Sequence, residues 1–107
     1  MSSIGVIVRT EEPIESLADD WVPTPLGARD ELAALLVAAG GTPMKQEHRF
    51  EFRGHGLSLE LEIGDDEPPR SITAAGIFGD AEVLLLRSLC RQLSASFYDS
   101  EEGGFAF

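Results

Sequence analysis

The sequence predicts one α+β domain in which two helices cover one face of a mostly antiparallel sheet of about five to six strands. Three observations lead to this: two segments with helical periodicity, alternating strands that turn back on each other, and a length of 107 residues, which suits a single core. The expected order is β-α-β-β-β-α-β-β, and a split βαβ, ferredoxin-like variant is the nearest named arrangement. We expect one domain over residues 1–107.

The first half of the chain begins with a strand, Ser3–Arg9, whose near-continuous apolar and β-branched run predicts burial on both faces at the centre of the sheet. The connection Thr10–Gly27 is longer than ordinary strand-to-helix loops, and such loops are usually functional or carry local structure. A first helix is predicted over Ala28–Ala39, and Gly40-Gly41 provides its stop.

A hairpin is predicted next, because two segments alternate between apolar and charged residues on either side of a two-residue turn at His55-Gly56. The first strand runs from Met44 to Arg53 and the second from Leu57 to Ile63. A slip of one residue would turn one strand inside out, so the parity fixes the register. The expected pairs are Phe52 with Leu59, Phe50 with Leu61, His48 with Ile63, Arg49 with Glu62, and Glu51 with Glu60.

The C-terminal part carries the densest apolar composition. A strand over Ser71–Phe78 leads to a helix that is capped by Asp80 and ends near Ser94. Ala95–Tyr98 and Phe105–Phe107 are then predicted as a terminal hairpin. The aromatic residues so close to the C-terminus predict an end that is held by packing.

Charge is the strongest global property, since 19 acidic residues against 8 basic ones give a formal net charge of −11. Such a field disfavours nucleic acid and anionic membrane as partners and favours a basic protein. A role in solubility alone is the alternative interpretation. Without a run of about 20 apolar residues or a signal-peptide pattern, a cytoplasmic location is expected.

The most suggestive local feature lies inside the long connection, where Pro13 could begin a short helix with Ile14, Leu17 and Trp21 on one face. An acidic surface beside the single Trp is typical of an interaction element. Packing of Trp21 against the core is the simpler alternative. The predicted partner-binding residues are Trp21, Glu11, Glu12, Glu15, Asp19 and Asp20.

Catalytic and metal-binding patterns are weak in this sequence. Cys90 and His48 could form a thiol–imidazole pair, but the apolar neighbours of Cys90 predict a buried, inert thiol. The acidic turns Asp65–Glu67 and Asp99–Glu102 do not reproduce a calcium loop, and no phosphate-binding glycine loop is present. No cofactor or metal is expected, and an enzyme is not favoured.

Taken together, the sequence predicts a small acidic protein-binding domain, with an inhibitor of a basic enzyme or an immunity-type protein as the physical analogue. The acidic turns are expected to contribute carboxylates to that surface. The alternative is a small-molecule-binding or regulatory α+β domain without catalysis. A homodimer through a sheet edge or through Phe105 and Phe107 is a further open possibility.

Overall fold

The computed structural model describes residues 3–10, 22–45, 48–54 and 56–107. Within them the chain forms an antiparallel sheet of seven strands and two helices, which confirms the α+β sandwich. The strands and helices, in chain order, are β1 (Ser3–Val8), α1 (Arg29–Ala38), β2 (Thr42–Pro43), β3 (Arg49–Gly54), β4 (Leu57–Ile63), β5 (Ser71–Gly76), α2 (Asp80–Leu93), β6 (Ser96–Asp99) and β7 (Gly104–Phe105).

The strand order across the sheet is β2-β3-β4-β5-β1-β6-β7. Because β5 and β6 both pair antiparallel with β1, they run parallel to each other with β1 between them, and α2 connects them. This is one βαβ unit split by an intervening strand. The ferredoxin-like arrangement as a whole is not confirmed, since β2, β3 and β4 extend the sheet beyond β5, and β7 extends it beyond β6.

The core lies between the two helices and one face of the sheet. Leu32 and Leu36 of α1 and Leu86, Leu89 and Cys90 of α2 are buried there. The strand residues of this core all lie on the same face of the sheet. They are Ile7, Phe50, Phe52, Leu59, Leu61, Ile63, Ile72, Ala74 and Phe97. Both helices therefore cover one face, as the sequence predicts, and the described residues place neither helix on the other face.

The register of the central hairpin is confirmed. Phe52 pairs with Leu59, Phe50 with Leu61, Arg49 with Glu62 and Glu51 with Glu60, and the last pair before the turn joins Gly54 to Leu57.

The predicted continuous strand from Met44 is wrong, because His48 has a φ of 64° and β3 begins one residue later. The left-handed backbone at His48 breaks the pleat, although its carbonyl still accepts a hydrogen bond from Ile63 N–H at 2.8 Å. Upstream of this break, Thr42 and Pro43 form β2, a separate strand paired with Glu51 and Phe50. The sheet therefore has more strands than the sequence predicts.

The start of α2 also differs from the prediction, since Gly79 and not Asp80 is the N-cap residue. The Gly79 N–H donates to Glu82 Oε1 at 3.1 Å, and the Ser58 N–H of β4 donates to Glu82 Oε2 at 2.8 Å. Glu82 is only 3% exposed. A buried carboxylate in the first turn of α2 thus joins the helix to the sheet.

β1 lies in the interior of the sheet, between β5 and β6, but it is not buried along its whole length. Ile7 and Val8 are buried, whereas Ile4 is 52% exposed. The expected burial on both faces therefore applies only near the C-terminal end of β1. At Gly5 a Cβ atom would lie 2.2 Å from the ring of Phe97, so the close approach of that ring requires glycine.

The chain end is held by packing, as predicted. Phe107 stacks on Phe97 with 5.3 Å between ring centroids, and the Phe97 N–H donates to the Phe107 carbonyl at 2.6 Å. The guanidinium of Arg87 lies 5.1 Å from the centre of the Phe107 ring. Across the described ranges, neither helix combines the length and the apolar composition needed to span a membrane.

Candidate partner-binding surface

The predicted partner-binding residues lie outside the described residues, so the structure neither supports nor contradicts their proposed role. They are Trp21, Glu11, Glu12, Glu15, Asp19 and Asp20. The structure does describe the two points at which the chain enters and leaves this segment, Thr10 and Val22, and the surface beside them.

The residues around these two points are held firmly to the fold. Thr24 N–H donates to the Arg9 carbonyl at 2.9 Å in an isolated antiparallel bridge. The Arg9 guanidinium donates to the carbonyls of Pro25 at 2.9 Å and Leu93 at 3.0 Å. Leu93 is the last residue of α2, where a cation suits the negative end of the helix dipole. We call residues 11–21 the acidic segment. Arg9 therefore holds the chain on either side of the acidic segment against the C-terminal end of α2.

A second set of bonds ties the returning chain to the loop 64–70. Leu26 is buried, and its N–H donates to the Pro69 carbonyl at 2.9 Å. Arg70 Nη1 donates to the Pro23 carbonyl at 2.7 Å. The acidic turn Asp65–Glu67 is consequently a neighbour of the chain that carries the predicted site.

Arg29, the first residue of α1, shapes this acidic turn. Its guanidinium donates to the carbonyl oxygens of Gly64 at 2.8 Å and Asp66 at 2.9 Å, and to Glu67 Oε1 at 2.8 Å. The Arg29 side chain is 16% exposed, whereas that of Glu67 is 73% exposed. No described base forms an ion pair with Asp65 or Asp66, so their carboxylates project from a loop whose backbone is fixed.

The first turn of α1 adds two more exposed acids, Asp30 and Glu31. Their negative charge suits the helix N-terminus, which gives them a structural role as well. Because Arg29 joins this turn to the loop, five acidic residues lie on one end of the domain beside the fixed ends of the acidic segment. We call this surface the acidic end, and its members are Asp30, Glu31, Asp65, Asp66 and Glu67.

The other acidic turn does not belong to this surface. Asp99 pairs with Gly5 near the start of β1, whereas the acidic end lies where β1 finishes. Asp99 Oδ1 accepts the N–H groups of Glu101 at 2.9 Å and Glu102 at 3.4 Å, so this carboxylate stabilises its own turn. The two acidic turns therefore lie at opposite ends of β1, and their expected role in partner binding stays a prediction.

A catalytic thiol is not supported at Cys90. Its side chain is buried in the core, and burial raises the pKa of the thiol from 9.0 to about 12. The group is thus protonated at neutral pH, and a protonated thiol is a poor nucleophile. In the parts of the chain that the structure describes, no three His, Cys, Asp or Glu side chains are grouped closely enough to hold a metal ion.

Two depressions lined by residues that the structure describes are open to solvent. One of about 430 Å³ is lined by Thr42, Pro43, Met44, Lys45 and Glu51 at the edge of the sheet. Another of about 180 Å³ lies on the sheet face that carries Arg49, Glu62 and Thr73. Small-molecule sites usually bury most of the ligand surface among apolar side chains. Neither depression has that form.

Sequence reasoning missed Asp30, Glu31 and the role of Arg29. Acids in the first turn of a helix are so common that they carry no functional signal by themselves. The contact of Arg29 with a loop more than thirty residues later depends on the tertiary fold. Comparison of the chain with protein-family models, with curated proteins and with solved structures finds no match. The surface is therefore interpreted from its own geometry.

Proposed function

We propose that this protein is a small acidic protein-binding domain that docks a basic partner through its acidic end and the adjoining acidic segment. The observation that carries the proposal is the placement of five exposed acids beside the anchored ends of a segment that holds five more, at positions 11, 12, 15, 19 and 20. An inhibitor or immunity-type protein that neutralises a basic enzyme is the functional class that fits this charge distribution.

The arginines at this end support the proposal because of what they bind. Arg9 and Arg70 donate to main-chain carbonyls, and Arg29 neutralises one carboxylate, that of Glu67. Their charges fix loops and leave most nearby carboxylates facing solvent. The three arginine charges offset three of the five acidic charges, so the described residues leave a net charge of about −2 at this end, to which the acids at positions 11, 12, 15, 19 and 20 add. A fixed backbone lowers the entropy lost on binding, and net negative charge speeds the approach of a cationic protein. We propose Trp21 as the apolar anchor of the same surface.

The test is a comparison of two double variants that remove the same charge from opposite ends. Asp65→Asn/Asp66→Asn alters the acidic end, and Glu101→Gln/Glu102→Gln is the matched control. Proteins are captured from lysate on each variant at low and high salt, and the affinity of a retained basic protein is then measured. An exposed ion pair contributes about 0.2 to 1 kcal/mol, so the first variant should weaken binding by about two- to thirtyfold.

Three results would contradict the proposal. One is equal loss of affinity in both variants, which would indicate a general field without a defined surface. Another is a captured basic protein whose affinity is unchanged by Asp65→Asn/Asp66→Asn and by Trp21→Ala. Binding that does not weaken between low and high salt would also exclude the electrostatic mechanism.

A further inference from the structure

The sheet face opposite the helices has two halves of different character. Strands β3 and β4 supply its charged half, and the apolar half comes from β1, β5, β6 and β7. The pairing places Val6 between Thr73 and Tyr98, and Ile4 beside Ala75, all with side chains on this face. The apolar half consists of Ile4, Val6, Ala75, Tyr98 and Phe105, and the same strands add the uncharged polar residues Ser71, Thr73 and Ser96 to this face. The charged half consists of Arg49, Glu51, Arg53, Glu60 and Glu62.

The apolar half has the composition of an interface core. Tyr98 and Phe105 form an edge-to-face pair with ring centroids 5.4 Å apart, and both are partly exposed. Ile4 is 52% exposed although it belongs to an interior strand. Aromatic residues are enriched in the centres of protein interfaces, where charged residues are depleted. The side chain of Val8 lies on the same face as those of Ile4 and Val6, but Val8 is buried. Along β1 the solvent-accessible part of this face therefore ends at Val6.

Charge indicates which kind of partner this face suits. In the charged half, Arg49 forms an ion pair with Glu62 at 2.9 Å and Arg53 forms one with Glu51 at 2.5 Å. The formal net charge of these five residues is therefore −1, from Glu60. The face is close to neutral in a chain of net charge −11. A basic partner would gain little attraction here, whereas a second copy of the same acidic chain meets less repulsion on this face than at the acidic end.

The area of the face is sufficient for a weak dimer. With strands about 4.8 Å apart and a rise of about 3.3 Å per residue, the seven strands present roughly 500 Å² of flat surface per copy. Contact over the whole face would bury about 1,000 Å² in two copies. Strands β1, β5, β6 and β7 hold about half of the strand residues, so the apolar halves supply roughly half of that area and the charged halves at the rim supply the rest. Specific interfaces begin near this size, and the smallest are transient.

We propose that this face is the contact surface of a homodimer, in which the apolar half of one copy packs against that of the other across a two-fold axis. A two-fold contact uses the same patch on both copies, so Ile4 and Tyr98 meet their own counterparts or near neighbours. The charged halves then lie at the rim, where their ion pairs stay hydrated. The dimer leaves both acidic ends free, and a contact of this size is expected to be weak and transient.

Sedimentation equilibrium on the full chain, from about 1 to 500 µM, tests the proposal. Wild-type protein should pass from monomer to dimer, and Ile4→Glu should weaken the association at least tenfold, because the substitution places two unpaired charges in one interface. Leu84→Glu is the matched control, since Leu84 is 69% exposed on α2, away from this face. Far-ultraviolet circular dichroism and a thermal melt establish that both variants fold.

Several outcomes would overturn the proposal. They are a wild-type chain that stays monomeric at 500 µM, an Ile4→Glu variant that dimerises like wild type, and a Leu84→Glu variant that dissociates. Salt separates this contact from the proposed docking of a basic protein. Dimerisation should hold or strengthen at 0.5 M salt, where repulsion between two acidic chains is screened, while binding of a basic partner should weaken.

Discussion

Replacement of Glu82 tests the claim that a buried carboxylate joins α2 to the sheet. In Glu82→Ala the N–H groups of Gly79 and Ser58 lose their acceptor in a place that is 3% exposed. A hydrogen bond to a charged group contributes about 1.5–3 kcal/mol, so two such bonds set an upper value near 6 kcal/mol. Water that enters the cavity recovers part of this, and we expect a loss of about 3 kcal/mol.

The assay is urea unfolding followed by circular dichroism at pH 7. With a slope of about 2 kcal/mol per molar urea, the expected loss lowers the midpoint by about 1.5 M. Glu82→Gln keeps one carbonyl acceptor and a similar volume, so its loss should be about half as large. Asp80→Ala is the control for charge at the helix N-terminus, because Asp80 is exposed and its interaction with the dipole contributes about 0.3–1 kcal/mol. A Glu82→Ala variant no less stable than Asp80→Ala would show that the Glu82 carboxylate does not join α2 to the sheet.

Two further predictions concern Cys90 and Arg29. Because burial raises the folded-state pKa of Cys90 from 9.0 to about 12, folding stability should fall as the pH rises above about 9, and Cys90→Ala should remove that part of the pH dependence in urea unfolding from pH 8 to 11. A Cys90 thiol that reacts with a thiol reagent at pH 8 as fast in the folded chain as in urea would contradict this. Arg29→Met should speed hydrogen exchange of the backbone amides in the loop 64–67, measured by mass spectrometry. It should also weaken binding of a basic partner, measured by the capture assay above. Unchanged exchange would show that Arg29 does not hold the loop.

The register of the β3–β4 hairpin could be predicted from sequence because burial on one face makes every alternative costly. Phe50, Phe52, Leu59 and Leu61 must share that face, and a two-residue turn permits a single pairing that achieves this. The same logic could not locate the break at His48. The alternation of apolar and charged residues continues through His48, so the pattern contains no signal of the positive φ that interrupts the strand there.

Burial within an unbroken apolar run could not be predicted either. In Ser3–Val8 nearly every side chain is apolar, so the pattern does not distinguish Ile7, which is buried, from Ile4, which is half exposed. Glu82 illustrates the same difficulty for a charged residue. From sequence it is an ordinary first-turn acid, and its burial depends on the N–H of Ser58, which belongs to a distant strand.

The basic partner expected from composition stays a prediction, and the acidic end could not be assembled from the sequence. The acids that the structure brings together depend on contacts of Arg29, Arg9 and Arg70. This gives the Arg29→Met variant its value as a test. Removal of a positive charge should by itself tighten binding of a basic protein, whereas loss of three hydrogen bonds to the loop should weaken it by releasing Asp65 and Asp66 from a fixed arrangement. The two effects have opposite signs, so weaker binding would identify loop order as the larger contribution, and tighter binding would reduce the acidic end to a diffuse field.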